Sequence, residues 1–562
     1  MCYTAGRNTK EGLPVEPNPN LNPTPSAPVP IPAYARKTPK QTFTLDRRDR
    51  VFAGLLFALS LLGLSPAIFG GFCAAFGVSF AALFLLCSVY LFRKDVRLSA
   101  FSCVCGMLAL SCSAVFFLTS CAPVRLLSAC GAAVLSVVWF SALAGKPIFD
   151  GELGLAERVL RQAGQSVTQM PRSLRAVFLS GKRSKAVLGI LCALPVFCVV
   201  VVLLSNSDAA FEGLTSLLFV DAGRVISRLL LAVCLFPLLL ALGFSLRKEA
   251  DEGKQEKPRK GLDTSFIAAF LGLLSAAYVV YLFSQLAYFV SAFSGILPPG
   301  YTFSYAEYAR RGFFELCGIA AINLTLLYLM LLLSRKKDGR LPAVLRALGT
   351  FIDVFTLFLI CTAMAKMILY IRQYGATVLR LGTSAFMLFM AVVFLALLLR
   401  FFVPKVRVLP VAAVTAAVVL LVLGIGNLPG FCAKYNYTHY KSGDLLTVDT
   451  QYLFDLGDEG IPYLLLLRDD ADKETAKDAC IKLYCAVFDH YEGDLHTIYT
   501  AGTGRHTDFV PEGKKHGGLY KWNLPRARAY AALDKLLRDE PDFMGNNAEE
   551  GEIARYDSME WF

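Results

Sequence analysis

The spacing of its apolar runs constrains this chain more than any other feature. Between Val51 and Gly426 the sequence holds eleven stretches of mostly uncharged residues, each near the ~20 residues that an α-helix needs to cross bilayer hydrocarbon. They run over 51–67, 70–92, 98–119, 124–143, 186–205, 226–246, 263–289, 313–334, 347–370, 381–402 and 408–426. The first two could instead form one broken hairpin at SPAIFGG. In lipid every backbone N–H and C=O must be satisfied within the segment, so such runs fold as helices. A composition of 55% hydrophobic and 18% charged residues, with mean hydropathy +0.52, agrees with many spans rather than one soluble core. The expected fold is all-α: a polytopic transmembrane bundle of about eleven helices carrying a small, mainly helical soluble domain.

Charge sets the expected orientation. The net charge of +12 divides into about +21 over residues 1–426 and about −9 over 427–562. Basic loops (RKDVR, 146–185, RKEADEGKQEKPRK, RKKDGR, 400–407) alternate with loops short of Lys and Arg such as NSDAAFEGLTSLLFVDAGR. This pattern reads as positive-inside, so basic loops mark the cytoplasmic face of a cell membrane and do not point to nucleic acid. The Pro-rich arm 1–50, too poor in bulky side chains to fold, is expected in the cytoplasm. With an odd number of spans, the domain 427–562 is expected outside.

Two loops carry extra elements. Over 152–178, Leu155, Val159, Leu160, Val167 and Leu174 recur at helical spacing among Arg158, Arg161, Arg172 and Arg175. The pattern predicts a basic amphipathic helix on the inner leaflet, broken at Pro171. The outer stretch 211–220 is too short to cross and reads as interfacial. In the tail, LLTVDTQYLFDL, EGIPYLLLL, ETAKDACIKLYCAVFDHY and RARAYAALDKLLRD read as helices, and 493–520 as a glycine-rich loop or short hairpin. Most cysteines lie inside apolar runs as small hydrophobes, and Cys432, Cys480 and Cys485 are expected to be free thiols.

Three pieces of the sequence belong together: GYTFSYAEYARRGFFEL (300–316), AKMILYIRQYGATVLRL (365–381) and CAKYNYTHYKSGDLLTVDTQYLFDLGDEGIPYLL (432–465). In combination they resemble an uncharacterised bacterial multi-pass family of the DUF4173/DUF4153 kind, over roughly residues 50–540. The resemblance implies a bacterial inner-membrane protein with a helical C-terminal appendage, and it brings no activity with it. Glu459-Gly460 departs from the pattern, which has a small residue after the acid. Asp449, Tyr452, Leu453, Asp458 and Pro462 are expected to specify helix packing and caps, with Asp458 capping a helix that begins near Gly460.

The chemistry-bearing residues are few. Glu307, Arg310, Arg311 and Glu315 fall largely on one helix face at a membrane edge, among aromatics. They suit either anionic lipid headgroups or an interfacial helix whose charges reach water. Asp353, Lys366, Asn323 and Gln285 are the polar residues inside spans; they suit helix–helix contacts or an ion path through Asp353. All five histidines lie in the tail; His490, His496 and His506 are the nearest to a metal set, but their spacing matches no zinc pattern, and no metal or cofactor is expected. AGTGR (501–505) lacks the Lys-Ser/Thr of a phosphate loop. The reading preferred on these grounds is a non-enzymatic envelope protein that senses, assembles or binds a protein partner through its tail. The rivals are an ion- or solute-coupled transporter, and a transferase on lipid-linked substrates with Glu307 as base and Arg310 on phosphate.

Overall fold

The computed structural model describes residues 45–69, 71–93, 95–146, 153–178, 222–248, 262–294, 313–335, 340–500, 504–515, 521–548 and 551. The bundle opens with α1 (Arg47–Phe69), α2 (Ala74–Leu91), α3 (Ala100–Leu118) and α4 (Ala122–Leu143). Then come α5 (Gly154–Phe178), α6 (Ala222–Lys248), α7 (Thr264–Ser294) and α8 (Phe313–Leu333). It closes with α9 (Ala343–Tyr374), α10 (Val378–Phe402) and α11 (Val408–Ile425). Among the described residues nine helices are long and apolar enough to cross a membrane: α1 to α4, α6, α7 and α9 to α11. Within α8, Gly318–Leu333 is a shorter apolar helix. The expected span 186–205 and the interfacial stretch 211–220 lie outside the described residues.

Local chemistry explains the boundaries. Asp46 and Asp49 form a reciprocal capping box at the start of α1. SPAIF belongs to α1, and the chain turns after it at Gly71 and Phe72, both at positive φ. The first pair is therefore two separate helices. Within α1 a π turn over Ser60–Leu64 precedes Pro66, whose ring crowds the preceding turn and which cannot donate an i→i−4 bond. Ser99 caps α3 and Thr377 caps α10, each accepting a backbone N–H three residues on.

The spans bury three apolar cores. One joins α7, α8, α9 and α10 around Ile267, Leu327, Ile352 and Phe394. The second joins α1 to α4 and α6 around Phe52, Phe84, Cys105, Leu135 and Phe244. The third lies around Leu64, Phe116, Val124 and Leu421 at the end that meets the tail. The helix α11 contributes to all three, through Val408 to the first, Ala417 to the second and Leu421 to the third.

The helix α5 corrects two expectations. It runs through Pro171 without a break, since one missing hydrogen bond is offset by packing along α6. Between Leu155, which is buried, and Leu174, which packs on the second core, its inward stripe is polar: Arg158, Gln162, Ser166, Gln169 and Ser173 are all under 9% exposed, while Leu160 and Val167 stand out at 71% and 61%. Gln162 Nε2 donates to Ser245 Oγ of α6 at 2.6 Å. Polar groups gain more from a protein partner than from acyl chains, so the helix turns them inward.

The tail begins with α12 (Leu428–Lys441), α13 (Thr450–Asp455), a 3-10 turn (Gly457–Glu459) and α14 (Ile461–Leu467). After α15 (Lys473–His490) come β1 (Tyr491–Thr500) and β2 (Gly504–Lys514), then α16 (Leu524–Asp539) and α17 (Phe543–Asn546). The strands form an antiparallel hairpin from Tyr491↔Lys514 to Thr500↔Gly504, which resolves the choice between loop and hairpin. The four helices read from sequence are all present. Leu453, Leu464, Leu467, Leu483, Val487 and Leu533 are fully buried in one core.

Chain direction fixes which end of the bundle meets this domain. Ala74 N, at the start of α2, donates to Trp522 O, and Ser120, just past α3, bonds Glu459. The loops around residues 92–99, 335–342 and 403–407 therefore lie at the far end.

Candidate functional site

The seam between tail and bundle gathers buried polar side chains from several elements. It is built from two of the three sequence pieces grouped above. The α9–α10 turn passes through Gly375 at φ +79°, a conformation that an L side chain enters only under strain. A Cβ there would also lie 2.6 Å from Asn436 Oδ1. The bare backbone lets the Asn436 amide approach edge-on. Its Oδ1 accepts from Ala376 N at 2.6 Å, and its Nδ2 donates to Ala376 O at 2.9 Å. Arg380 closes the same turn, donating to Tyr374 O and Gly375 O at 2.8 and 2.6 Å. Its guanidinium lies 4.1 Å from the centroid of the Tyr370 ring.

Tyr452 makes the next contact. Its hydroxyl accepts from Val378 N at 2.8 Å and so satisfies an open donor at the start of α10. Asp449 Oδ1 accepts from Tyr452 N at 2.8 Å and caps α13, in line with the sequence reading. Cys432, fully buried alongside, is a free thiol pushed up to about 11 by burial, so it stays neutral.

Asp458 and Glu459 divide the rest of the seam. Glu459 Oε1 accepts from Ser120 N at 2.9 Å and its Oε2 from the Ser120 hydroxyl, joining the tail to the α3–α4 loop. Arg125 Nη2 donates to Ser120 O at 2.7 Å from beneath. Burial raises the Glu459 carboxyl above its usual range, against the Ser120 hydrogen bonds that lower it. Asp458 faces the other way, 3.0 Å from His490 Nε2 and 3.2 Å from Arg526 Nε. Burial alone would raise it, but the His490 hydrogen bond and the Arg526 charge hold it below the ordinary carboxylate range. The expected capping role is thus overturned: Gly460 caps α14, Pro462 follows in its first turn, and Asp458 is engaged in a buried ion pair. Gly460 permits the fold here, since a Cβ would lie 1.7 Å from Leu453 O.

The residues singled out from sequence scatter. Asn323 is a helix-packing contact: its Oδ1 accepts from the Tyr278 hydroxyl of α7 at 2.6 Å and its Nδ2 donates to Thr356 Oγ1 of α9 at 2.8 Å. Asp353, one turn before Thr356, is fully buried, and neither of its carboxylate oxygens has a hydrogen-bond partner among the described residues. Lys366 is half-buried in α9 two turns before its end. Gln285 and Glu315 lie in α7 and α8, with side chains outside the described residues, and Glu307, Arg310 and Arg311 are outside them altogether. His490 is engaged through both ring nitrogens, with Nδ1 at 2.8 Å from Ala486 O. His496 pairs with Asp508 and His506 with Ile498 in the hairpin register. No group of three His, Cys, Asp or Glu side chains converges among the described residues. Sequence reasoning missed Asn436 and Glu459 as seam residues; both stood inside the third sequence piece, and Glu459 was the departure from its pattern.

Known proteins meet this geometry at one point. The family model described as "Domain of unknown function (DUF4153)" matches residues 80–467. That stretch contains Ser120, Ala376, Val378, Asn436, Tyr452 and Glu459, hence both sides of the seam, and ends with α14. No curated protein and no solved structure matches the chain.

Proposed function

The chain belongs to the DUF4153 family, and from that premise we propose that this multi-pass membrane protein is a non-enzymatic envelope component. Its tail senses or binds a protein partner outside the cell membrane while its arm 1–50 stays in the cytoplasm. The observation that carries this reading is the seam: three loop-to-tail contacts (Asn436–Ala376, Tyr452–Val378, Glu459–Ser120) fasten the tail to two separate bundle turns. A domain fastened this way moves with the helices below it, which is what transmission or assembly across a membrane requires. The orientation rests on Arg93, Arg97, Arg335, Arg340, Arg346, Lys405 and Arg407, which cluster at the far end. Reporters fused after Phe562 that are active in one compartment check the orientation; a cytoplasmic tail overturns it. Hydrogen exchange on the full chain should show residues 450–467 and the 374–380 turn opening together in wild type and separately in Asn436→Ala. Turnover of an envelope substrate by the purified protein would sink the reading.

Asp353 favours a second reading, an ion- or solute-coupled transporter. A buried carboxylate without a hydrogen-bond partner is costly, and such groups commonly mark proton or cation paths. Flux in proteoliposomes that is lost in Asp353→Asn supports it; flux unchanged in that variant removes Asp353 from any path. The transferase alternative needs Glu307 and Arg310 and gains no support from the described residues.

A further inference from the structure

A basic-lined cavity lies at the far end of the bundle, away from the seam. It encloses about 730 Å³ between the α2–α3 loop, the end of α4 and the α10–α11 turn. Four cationic side chains line it, Arg97, Lys146, Lys405 and Arg407, and among the described residues no carboxylate does. Arg97, Lys405 and Arg407 are exposed around the opening, whereas Lys146 is 6% exposed and donates to Ser245 O at 2.9 Å. The helices α3 and α11 both begin at this cavity, at Ser99 and Arg407, and α4 ends beside it. The remaining wall is apolar, with Phe101, Val138, Pro410 and Val411.

We propose that this cavity is a binding site for a phosphate-bearing anion, of the kind carried by an acidic lipid headgroup or supplied as soluble phosphate. Three exposed cations around the opening and the buried Lys146 behind them give a local positive potential that draws an anion in. A phosphoryl group offers the strong acceptor oxygens that guanidinium and ammonium donors fit, and water excluded by the apolar wall strengthens each contact. The apolar residues beside the cations give an acyl chain a surface to follow, as at basic pockets between spans that hold anionic headgroups. None of its residues belongs to the 307–315 cluster read from sequence, and it is independent of the role given to the tail.

The test uses the purified full chain in nanodiscs of phosphatidylglycerol or phosphatidylcholine, with retained lipid counted by native mass spectrometry. The wild-type chain should retain phosphatidylglycerol over phosphatidylcholine by roughly tenfold, and Lys405→Gln combined with Arg407→Gln should abolish that preference. A second arm adds inorganic phosphate to the chain in phosphatidylcholine nanodiscs and follows thermal unfolding. Stabilisation there, absent from the double variant, identifies soluble phosphate as the source; a lipid preference alone identifies the headgroup. Arg97→Gln serves as an independent variant on a different element. No discrimination by either probe, or discrimination that survives both the double variant and Arg97→Gln, overturns the proposal.

Discussion

At the tail end of the bundle, Asn436, Tyr452 and Glu459 each hold one protein partner, while at the far end Arg97, Lys405 and Arg407 stand exposed around a cavity. Both ends carry polar groups in an otherwise apolar chain, but the energetics differ. The buried amide and carboxylate of the seam saturate backbone groups that would otherwise be orphaned, so the seam is stiff and intolerant. An exposed cation keeps its hydration and costs little wherever it sits, so the far end is adaptable.

Substitutions should expose that contrast. The largest loss is expected from Gly460→Ala, where the new Cβ would overlap Leu453 O; a cost above about 3 kcal/mol, read as loss of the folded tail by circular dichroism and limited proteolysis, is expected. Asn436→Ala strands the N–H and C=O of Ala376 together and should cost about 2 kcal/mol in denaturant melts. Leu446→Ala, at a residue 91% exposed, is the neutral control for that measurement. A smaller effect should appear in the pH profile. Glu459 has a raised folded pKa, so its unfavourable contribution holds above that value and is relieved as pH falls through it toward the unfolded value of about 4.3. Asp458 has a lowered folded pKa, so its contribution is present above about 3.9 and is lost as pH falls through the folded value. Seam stability should therefore rise on mild acidification and fall in stronger acid, and Glu459→Gln should remove the rise but keep the fall. Thermal scans across pH read both limbs; a rise that persists in Glu459→Gln breaks the assignment. The smallest change is expected at the far end, where Lys405→Gln should alter stability by less than about 0.5 kcal/mol. A large loss there would mean that the far end is held as rigidly as the seam.

The helices were legible because an apolar run of membrane length dictates its own secondary structure through purely local physics. The cap at Asp449 was equally local. The seam was not. Asn436 and Tyr452 act on residues 60 and 74 positions earlier, and no spacing rule announces a contact across that interval. Asp458 misled because an acid before a proline-bearing helix start looks like a cap, whereas its partners, His490 and Arg526, arrive from α15 and the start of α16. On α5, hydrophobic periodicity identified the helix but not its facing, since inside a membrane the protein, not water, is the polar neighbour.

The length of α9 has a mechanical consequence. Its 32 residues rise about 48 Å, against a hydrocarbon layer of about 30 Å. A rod so much longer than the slab it crosses must tilt or protrude, and its projecting tip is the turn that Asn436 grips. Any thinning of the bilayer would lean that rod further and carry the gripped domain sideways with it.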